Sequence, residues 1–583
     1  MKKSLWLFSL MLVLALFLAA CGGGDDASAP ADDNNSEETD SNETEATTEG
    51  PKEGGTVTFG FNQPFKGVLS YAYYEGQDDS EILQFMHEGL TKTDENLQTV
   101  PNLADWELSE DNMTLTFNLK QGVKWHDGEE LTAEDMEYAW YLIADPDYEG
   151  ARFANVAMIE GAEDYQQGNA DTISGITVVD DYTIEVKVTE PSVNLIDNIW
   201  TAPEPKHYYG DLSSKDVPDS DQVRVNPIGV GPFKVKNIVP GEMVEFERND
   251  DYWQGKPYLD GVVYKVVDGA LSSGLLESGE IDIMEALSDQ WEIVKDLPNL
   301  ENVVVDSMSY SYIAFDMGYY DTENNVVVSD NPKFQNKQLR HAMAYAIDRQ
   351  QYVDSFRSGL GKPLNVPIPS VSWAKIPDDQ INTYDYDQEK AKELLDEAGY
   401  VDVDGDGFRE DPDGNKFTIN FDAMSGAETS EIRAQFVLQA WQAIGLDAQL
   451  NGGTLKDFNL FYDTIEADDP SVETFHGAWG LSPDPDPAGI WLSTDKWNMW
   501  RWYSEESDEL IKAGIQFPED PNKDVIEHRK EIYYEWQKLV NEELPVIFFE
   551  QRQDPWAINK RLKGVTVDPF GVSTDIHLWN VTE

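Results

Sequence analysis

Four places in the chain combine residue types that could do chemistry. The first is Trp125-His126-Asp127-Gly128, where a histidine beside a carboxylate has the makings of a general base and its orienting partner. Adjacent residues rarely face one pocket, and Asp-Gly after a strand is a turn signal, so the segment reads as a turn fixing two strands. The second is Asp402-Val-Asp404-Gly-Asp406-Gly407, which places oxygens at positions 1, 3 and 5 and glycine at 6 of a calcium loop. Asp413 falls at position 12 where a bidentate glutamate is usual, and Arg409 stands at position 8, so a solvated acidic hairpin competes with a structural calcium site. The third is Trp479-Gly-Leu-Ser-Pro-Asp484-Pro-Asp486-Pro487, two carboxylates in a proline-rich loop. The fourth is Cys21, the single cysteine of the chain.

Other chemistries lack their parts. There is no Gly-x-Ser-x-Gly elbow and no His-Glu-x-x-His, and the seven histidines are scattered. Gly359-Leu-Gly361-Lys362 runs into Pro363, which removes an amide that a phosphate cradle would use; it reads as a loop. One cysteine allows no disulfide framework and no thiolate metal cluster.

The elements that must hold these residues are strands mixed with helices. Residues 55–61, 115–119, 182–188 and 242–247 alternate as strands do. Between Phe334 and Phe356, the apolar residues Leu339, Ala342, Met343, Ala346 and Ile347 follow the stripe of a helix buried on one face. Asp387 can cap another helix, with Ala391, Leu394, Leu395 and Ala398 on one side and Gly399 as its stop. This mixture, with no internal repeat, predicts an α/β protein, and 583 residues predict two or three domains. The net charge is −69, which repels phosphate backbones and anionic headgroups and argues against nucleic acid as a partner. An 11% aromatic content is more than a disordered acidic chain carries, so the bulk folds.

At the N-terminus, Lys2 and Lys3 precede an apolar stretch from Leu5 to Ala20, too short to span a bilayer; it reads as a signal peptide, residues 1–20. Leu18-Ala19-Ala20-Cys21-Gly22 has the pattern of a bacterial lipobox, in which the cysteine becomes the first mature residue and carries a diacylglyceryl group. Residues 21–54 are rich in Gly, Asp, Glu, Ser, Thr and Asn with no aromatic. Such a segment cannot offset its ordering entropy by burial, so a disordered acidic tether on a lipid anchor at the outer membrane face is expected.

Several blocks, taken together, resemble one family. Leu103-Ala-Asp-Trp106, Leu115 to Gly128 and Leu131-Thr132-Ala133-Glu134-Asp135 are followed by Asn226 to Phe233 and by Arg248-Asn249 to Pro257. Leu339-Arg340 to Arg349 and Ala391 to Tyr400 complete the series. In this order they are similar to the extracellular solute-binding proteins of oligopeptide ABC importers, across residues 55 to 583. The resemblance implies a two-lobed periplasmic-binding-protein-like fold (type II, large cluster C type) with an inserted domain. Its expected boundaries are lobe I at 55–88, 216–308 and 541–583, an inserted domain at 89–215, and lobe III at 309–540. It also implies a monomeric receptor, not an enzyme, that closes on a peptide and docks on permease subunits. Pro64-Phe65-Lys66-Gly67 and the 479–487 segment look like the Gram-positive members that accept longer peptides. In such a receptor Asp484 or Asp486 would meet the peptide α-amine, although some relatives carry that aspartate where this chain has Ser482. Trp479, Trp500 and Trp502 are candidates for apolar pocket walls, against the reading of such aromatics as core. A different solute on the same fold (a metal chelate, haem, a glycan or a murein peptide) and a surface lipoprotein hydrolase are the alternatives.

Overall fold

The computed structural model describes residues 50–74, 76–426, 429–572 and 575–582. Residues Pro51–Glu583 form one unit. The expected signal peptide, Cys21 and the expected tether up to residue 49 lie outside the described residues. The final residues of that tether segment are docked on the fold. The Gly54 amide donates to the Tyr258 carbonyl at 2.7 Å, and Lys256 pairs with Glu53 at 3.0 Å. Glu53 and Gly54, placed at the end of the tether by composition, are thus tied to the fold by an ion pair and a backbone hydrogen bond. Among the described residues, no helix is long and apolar enough to cross a membrane.

Eleven strands make one mixed sheet. On one side lie Asp447–Leu450, Thr418–Asp422 and Thr474–Gly480; on the other lie Ile283–Glu285, Thr56–Phe61, Gly261–Val266, Met243–Arg248 and Phe233–Val239. Two long antiparallel strands, Leu300–Phe315 and Val546–Asn559, join the halves, with Gly361–Pro363 alongside the second. The first half of the former, 300–306, pairs with 553–559 and its second half, 310–314, with 546–551, and the register breaks between Asp306 and Tyr310. Such an irregularity bends and twists a ribbon locally. It falls where the chain passes from one core to the next. Val57, Phe59, Phe233, Val262 and Trp556 belong to one core; Tyr312, Phe315, Leu339, Trp441 and Phe548 belong to another. A third, containing Phe117, Trp125, Trp140 and Ile184, surrounds a separate four-stranded antiparallel sheet with the helix Ala133–Ile143 against it. That core also takes Val223 and Val230, beyond the residue 215 boundary expected for the inserted domain.

The four expected strands form as Thr56–Phe61, Thr114–Leu119, Thr183–Lys187 and Met243–Arg248. The helix Gln388–Glu397 is capped as expected: the Asp387 carboxylate accepts from the Lys390 amide at 2.9 Å, and Gly399 adopts φ +88°. The stripe from Leu339 to Ile347 is fully buried, but the expected segment forms two helices, Lys337–Tyr345 and Arg349–Phe356, with Ala346 and Ile347 in the connection between them. Asp348 ends the first register and caps the second by accepting from the Gln351 amide at 2.9 Å.

The His126-Asp127 segment is a turn. The Gly128 amide donates to the Trp125 carbonyl at 2.9 Å with Gly128 at φ +100°. His126 accepts from the Gly229 amide at 3.1 Å and meets the Gly231 carbonyl at 3.1 Å, while Asp127 faces His207 at 2.9 Å. Burial drives the His126 pKa down to about 3. The imidazole therefore stays neutral and ties two separated sequence blocks together.

Candidate functional site

A cavity of about 870 Å³ opens among these bodies. Tyr71 and Tyr74, which follow the first strand, form one wall with Gln84 from the helix Gln77–Met86. Arg152, Asp197 and Trp200 come from the third core's domain, Asp568 and Phe570 from the C-terminal segment, and Pro483 from the 479–487 loop. Arg152 is aimed by donating to the Tyr74 carbonyl at 3.0 Å and stacking its guanidinium 4.2 Å over the Tyr74 ring. Glu88 accepts from Asn102 at 3.0 Å, from Trp253 at 3.2 Å and from the Tyr252 hydroxyl. Burial nevertheless holds its carboxyl above the ordinary range. Burial also raises Asp568.

The two loop aspartates differ in their partners. Arg529, on the helix Val525–Glu543, grips Asp484 bidentately, Nη1 to Oδ2 at 2.7 Å and Nη2 to Oδ1 at 2.8 Å. Its Nε donates to the Gly514 carbonyl at 3.0 Å, which fixes the fork. Asp486 has amide donors only: the Ala488 backbone at 3.1 Å and the Asn194 side chain at 3.1 Å. Burial first, and the neighbouring Asp484 charge in addition, push its pKa up. The same Asn194 amide donates to Asp484 at 3.1 Å, and the Val193 amide donates to the Ile515 carbonyl at 3.0 Å. Residues 193–194 thus clasp the C-terminal half of the chain.

This loop itself lines a second cavity of about 120 Å³, with Ser482, Asp484 and Asp486 on it together with Tyr310, Trp491 and Trp536. The expected aromatic set is placed elsewhere. Trp500 and Trp502, 0% and 5% exposed, sit in the core, Trp500 packed 4.2 Å from Trp491 and 5.5 Å from Tyr312 between ring centroids. Trp479 is half-buried against Trp497 and lines neither cavity. Asn194, Arg529 and Trp536 were not legible as site residues, since each meets the loop only through the tertiary fold; Trp491 follows the loop directly, its amide donating to the Pro487 carbonyl at 3.1 Å. In the acidic hairpin, Asp402, Asp404 and Asp406 bring exposed oxygens within 4.8 Å of one another, and Asp413 is not part of that group. Asp402 there accepts from the Gly405 and Gly407 amides at 2.7 and 3.0 Å.

The sheet with two crossing strands and a cavity between bodies is the fold of a solute-binding protein. Residues 98–500 match the model of bacterial extracellular solute-binding proteins, family 5 Middle, and the chain belongs to that family. The oligopeptide-binding protein AppA of Bacillus subtilis is 28% identical, over 99% of this chain and 98% of AppA. OppA of Lactococcus lactis subsp. lactis, also an oligopeptide-binding protein, is 30% identical over 84% and 82%. Among solved structures, AppA in complex with a nonapeptide superposes with a TM-score of 0.70 at 26% identity, covering 91% of this chain and all of that one. Lactococcal OppA, complexed with an endogenous peptide in the closed conformation, gives 0.76 at 27% identity with the same coverage. The relatives are binding proteins rather than enzymes.

Proposed function

We propose that this chain is an oligopeptide receptor: it captures extended peptides in the 870 Å³ cavity and delivers them to the permease of an ABC importer. The observation that carries the reading is that cavity, walled by two separately cored bodies and closed from the third region of the chain by Pro483 of the proline-rich loop. Its volume is at the top of the range of about 300–1,000 Å³ for small-molecule sites, which suits a ligand of several residues. AppA and OppA, similar along nearly the whole chain, carry peptides in their own structures. A diacylglyceryl group on Cys21 would hold the receptor, acting as a monomer, at the outer membrane face.

Of the two loop aspartates, Asp486 is the one assigned to the peptide α-amine. Asp484 already has a guanidinium across both oxygens, whereas among the described residues Asp486 makes no ion pair and accepts from amides alone. An ammonium group would supply charge-assisted hydrogen bonds worth about 1.5–3 kcal/mol. Asp486→Asn is expected to weaken free-amine peptides by about 10- to 150-fold while N-acetylated versions change little. Equal effects on both forms, read by calorimetric titration, would exclude Asp486. For the receptor function itself, native mass spectrometry of the purified protein should release peptides, and added peptides should be returned uncleaved. Cleavage products would point instead to a hydrolase.

A further inference from the structure

Two elements that wall the large cavity enclose a buried carboxyl between them. The helix Gln77–Met86 gives the cavity Ser80 and Gln84, and the hairpin of strands Val567–Asp568 and Gly571–Val572 gives it Asp568 and Phe570. Glu81, on the same helix, is 4% exposed. The Gly571 backbone, at φ +117°, closes over it: a Cβ there would stand 3.7 Å from Glu81 Oε1 and 3.4 Å from the Trp556 ring. Among the described residues Glu81 makes no ion pair. From its own helix it accepts one long hydrogen bond, 3.5 Å from Gln77, while Asp78 and Asp79 are occupied by the amides of Lys66, Gly67 and Val68. The strand Ile283–Glu285 brings the Glu285 carboxyl towards it, and the hairpin brings Asp568. The Tyr264 hydroxyl and the Trp556 indole, on neighbouring strands, are buried without a hydrogen-bond partner among the described residues. Arg552 stands beyond, shared between Glu285 at 3.6 Å and Asp554 at 3.3 Å. Burial first, and the Glu285 and Asp568 charges in addition, push the Glu81 pKa up to about 7. Burial likewise raises Glu285 to about 7 and raises Asp568.

We propose that Glu81 and the hairpin 567–572 form a proton-dependent switch of the large cavity: with Glu81 protonated the hairpin is seated and completes the wall, and with Glu81 ionised the hairpin lifts and peptide binds more weakly. The inference rests on the oligopeptide-receptor reading above and adds a dependence on pH to it. An ionised carboxylate needs water or a cation. Water reaches Glu81 by displacing the hairpin, since its other neighbours are its own helix and the buried Trp556 and Tyr264. The hairpin is the part that can yield. Only two register pairs, 567 with 572 and 568 with 571, hold its strands together, and Val567 and Val572 pack it on the first core; a two-stranded ribbon of this size is marginal without such packing. Its own Asp568 would face the new charge directly. Glu81 keeps its proton below about 7 and loses it above, so the seated wall is present at lower pH and is lost as pH rises through that value.

The test is calorimetric titration of the full chain and of Glu81→Gln with one free-amine Ser/Gly nonapeptide at pH 6 and at pH 8.5. Glutamine keeps the shape of the protonated carboxyl and cannot ionise. The parent is expected to lose about tenfold in affinity between the two conditions, as one linked proton allows. Glu81→Gln is expected to lose about fivefold less, because ionisation of the peptide amine and of Asp486 is common to both proteins. Equal losses in the two proteins, or no loss in a parent that still binds, refute the switch and leave the receptor reading standing. Binding at neither pH removes the receptor reading, and the switch with it. If Glu81→Gln does not fold, Asp568→Asn decides instead: neutralising the hairpin's own charge should move the decline in affinity to higher pH, and an unmoved decline refutes the switch.

Discussion

The guanidinium of Arg529 covers both oxygens of Asp484 and leaves Asp486, two residues on, with amide donors alone. The same contrast between a paired and an unpaired carboxylate recurs at Glu81, on the helix Gln77–Met86. Glu81 is 4% exposed, and its hydrogen bond is a long one, 3.5 Å from Gln77. Burial, with Glu285 and Asp568 nearby, pushes its pKa from 4.5 up to about 7. The folded state thus holds this proton more tightly than the unfolded chain does. The contribution to stability is complete below the unfolded value near 4.5 and is lost as pH rises through about 7. A shift of this size corresponds to something on the order of 3 kcal/mol. Glu81→Gln is therefore expected to raise the urea midpoint at pH 8 and to leave it nearly unchanged at pH 4. A variant no more stable than the parent at pH 8 would show that the Glu81 carboxylate is compensated in the fold.

At the scale of elements, the two crossing strands and the 193–194 clasp have complementary parts. The irregular pairing between Asp306 and Tyr310 bends the ribbon where the two cores meet, and Asn194 bridges to Asp484 and Asp486 from the other body. Domain closure of this kind uses a few residues at element ends to absorb the motion. Hydrogen bonds to charged acceptors contribute about 1.5–3 kcal/mol, so Asn194→Ala should shift the unliganded protein towards open forms and weaken peptide by about tenfold. The loss should appear mainly as faster dissociation, with a larger radius of gyration in small-angle scattering. Unchanged dissociation and scattering would mean that closure is set by the ligand and not by the clasp.

For the whole molecule, the charge of −69 and the single cysteine define the setting. A dense carboxylate surface stays hydrated and soluble outside the cell. No described helix could serve as a second attachment to the membrane. Cys21→Ala is expected to leave the protein folded and peptide-competent but released into the medium; fractionation of cells expressing it would find it in the supernatant. A variant retained with the membrane would remove the lipid anchor from the account.

Local physics wrote much of this protein into its sequence. The strands at 56–61 and 114–119, the Asp387 cap with its Gly399 stop, and the turn at Asp127-Gly128 depend on neighbours a few residues apart, which a linear reading can see. The family blocks and the 479–487 loop were legible for the same reason. The break between the helices at 345 and 349 was harder, because the buried stripe runs on through Ala346 and Ile347 after the first helix has ended. The site was legible only in part. Both aspartates were visible, but which one is gripped by a guanidinium depends on Arg529, 45 residues further along than Asp484. Likewise, the composition that marks Trp500 and Trp502 as wall candidates is the same one that marks core. The tertiary structure put Trp491 and Trp536 on the cavity and left Trp500 and Trp502 behind them. Hydrophobicity decides that a side chain is buried, whereas which buried side chain faces an empty space is decided only by how separate segments pack.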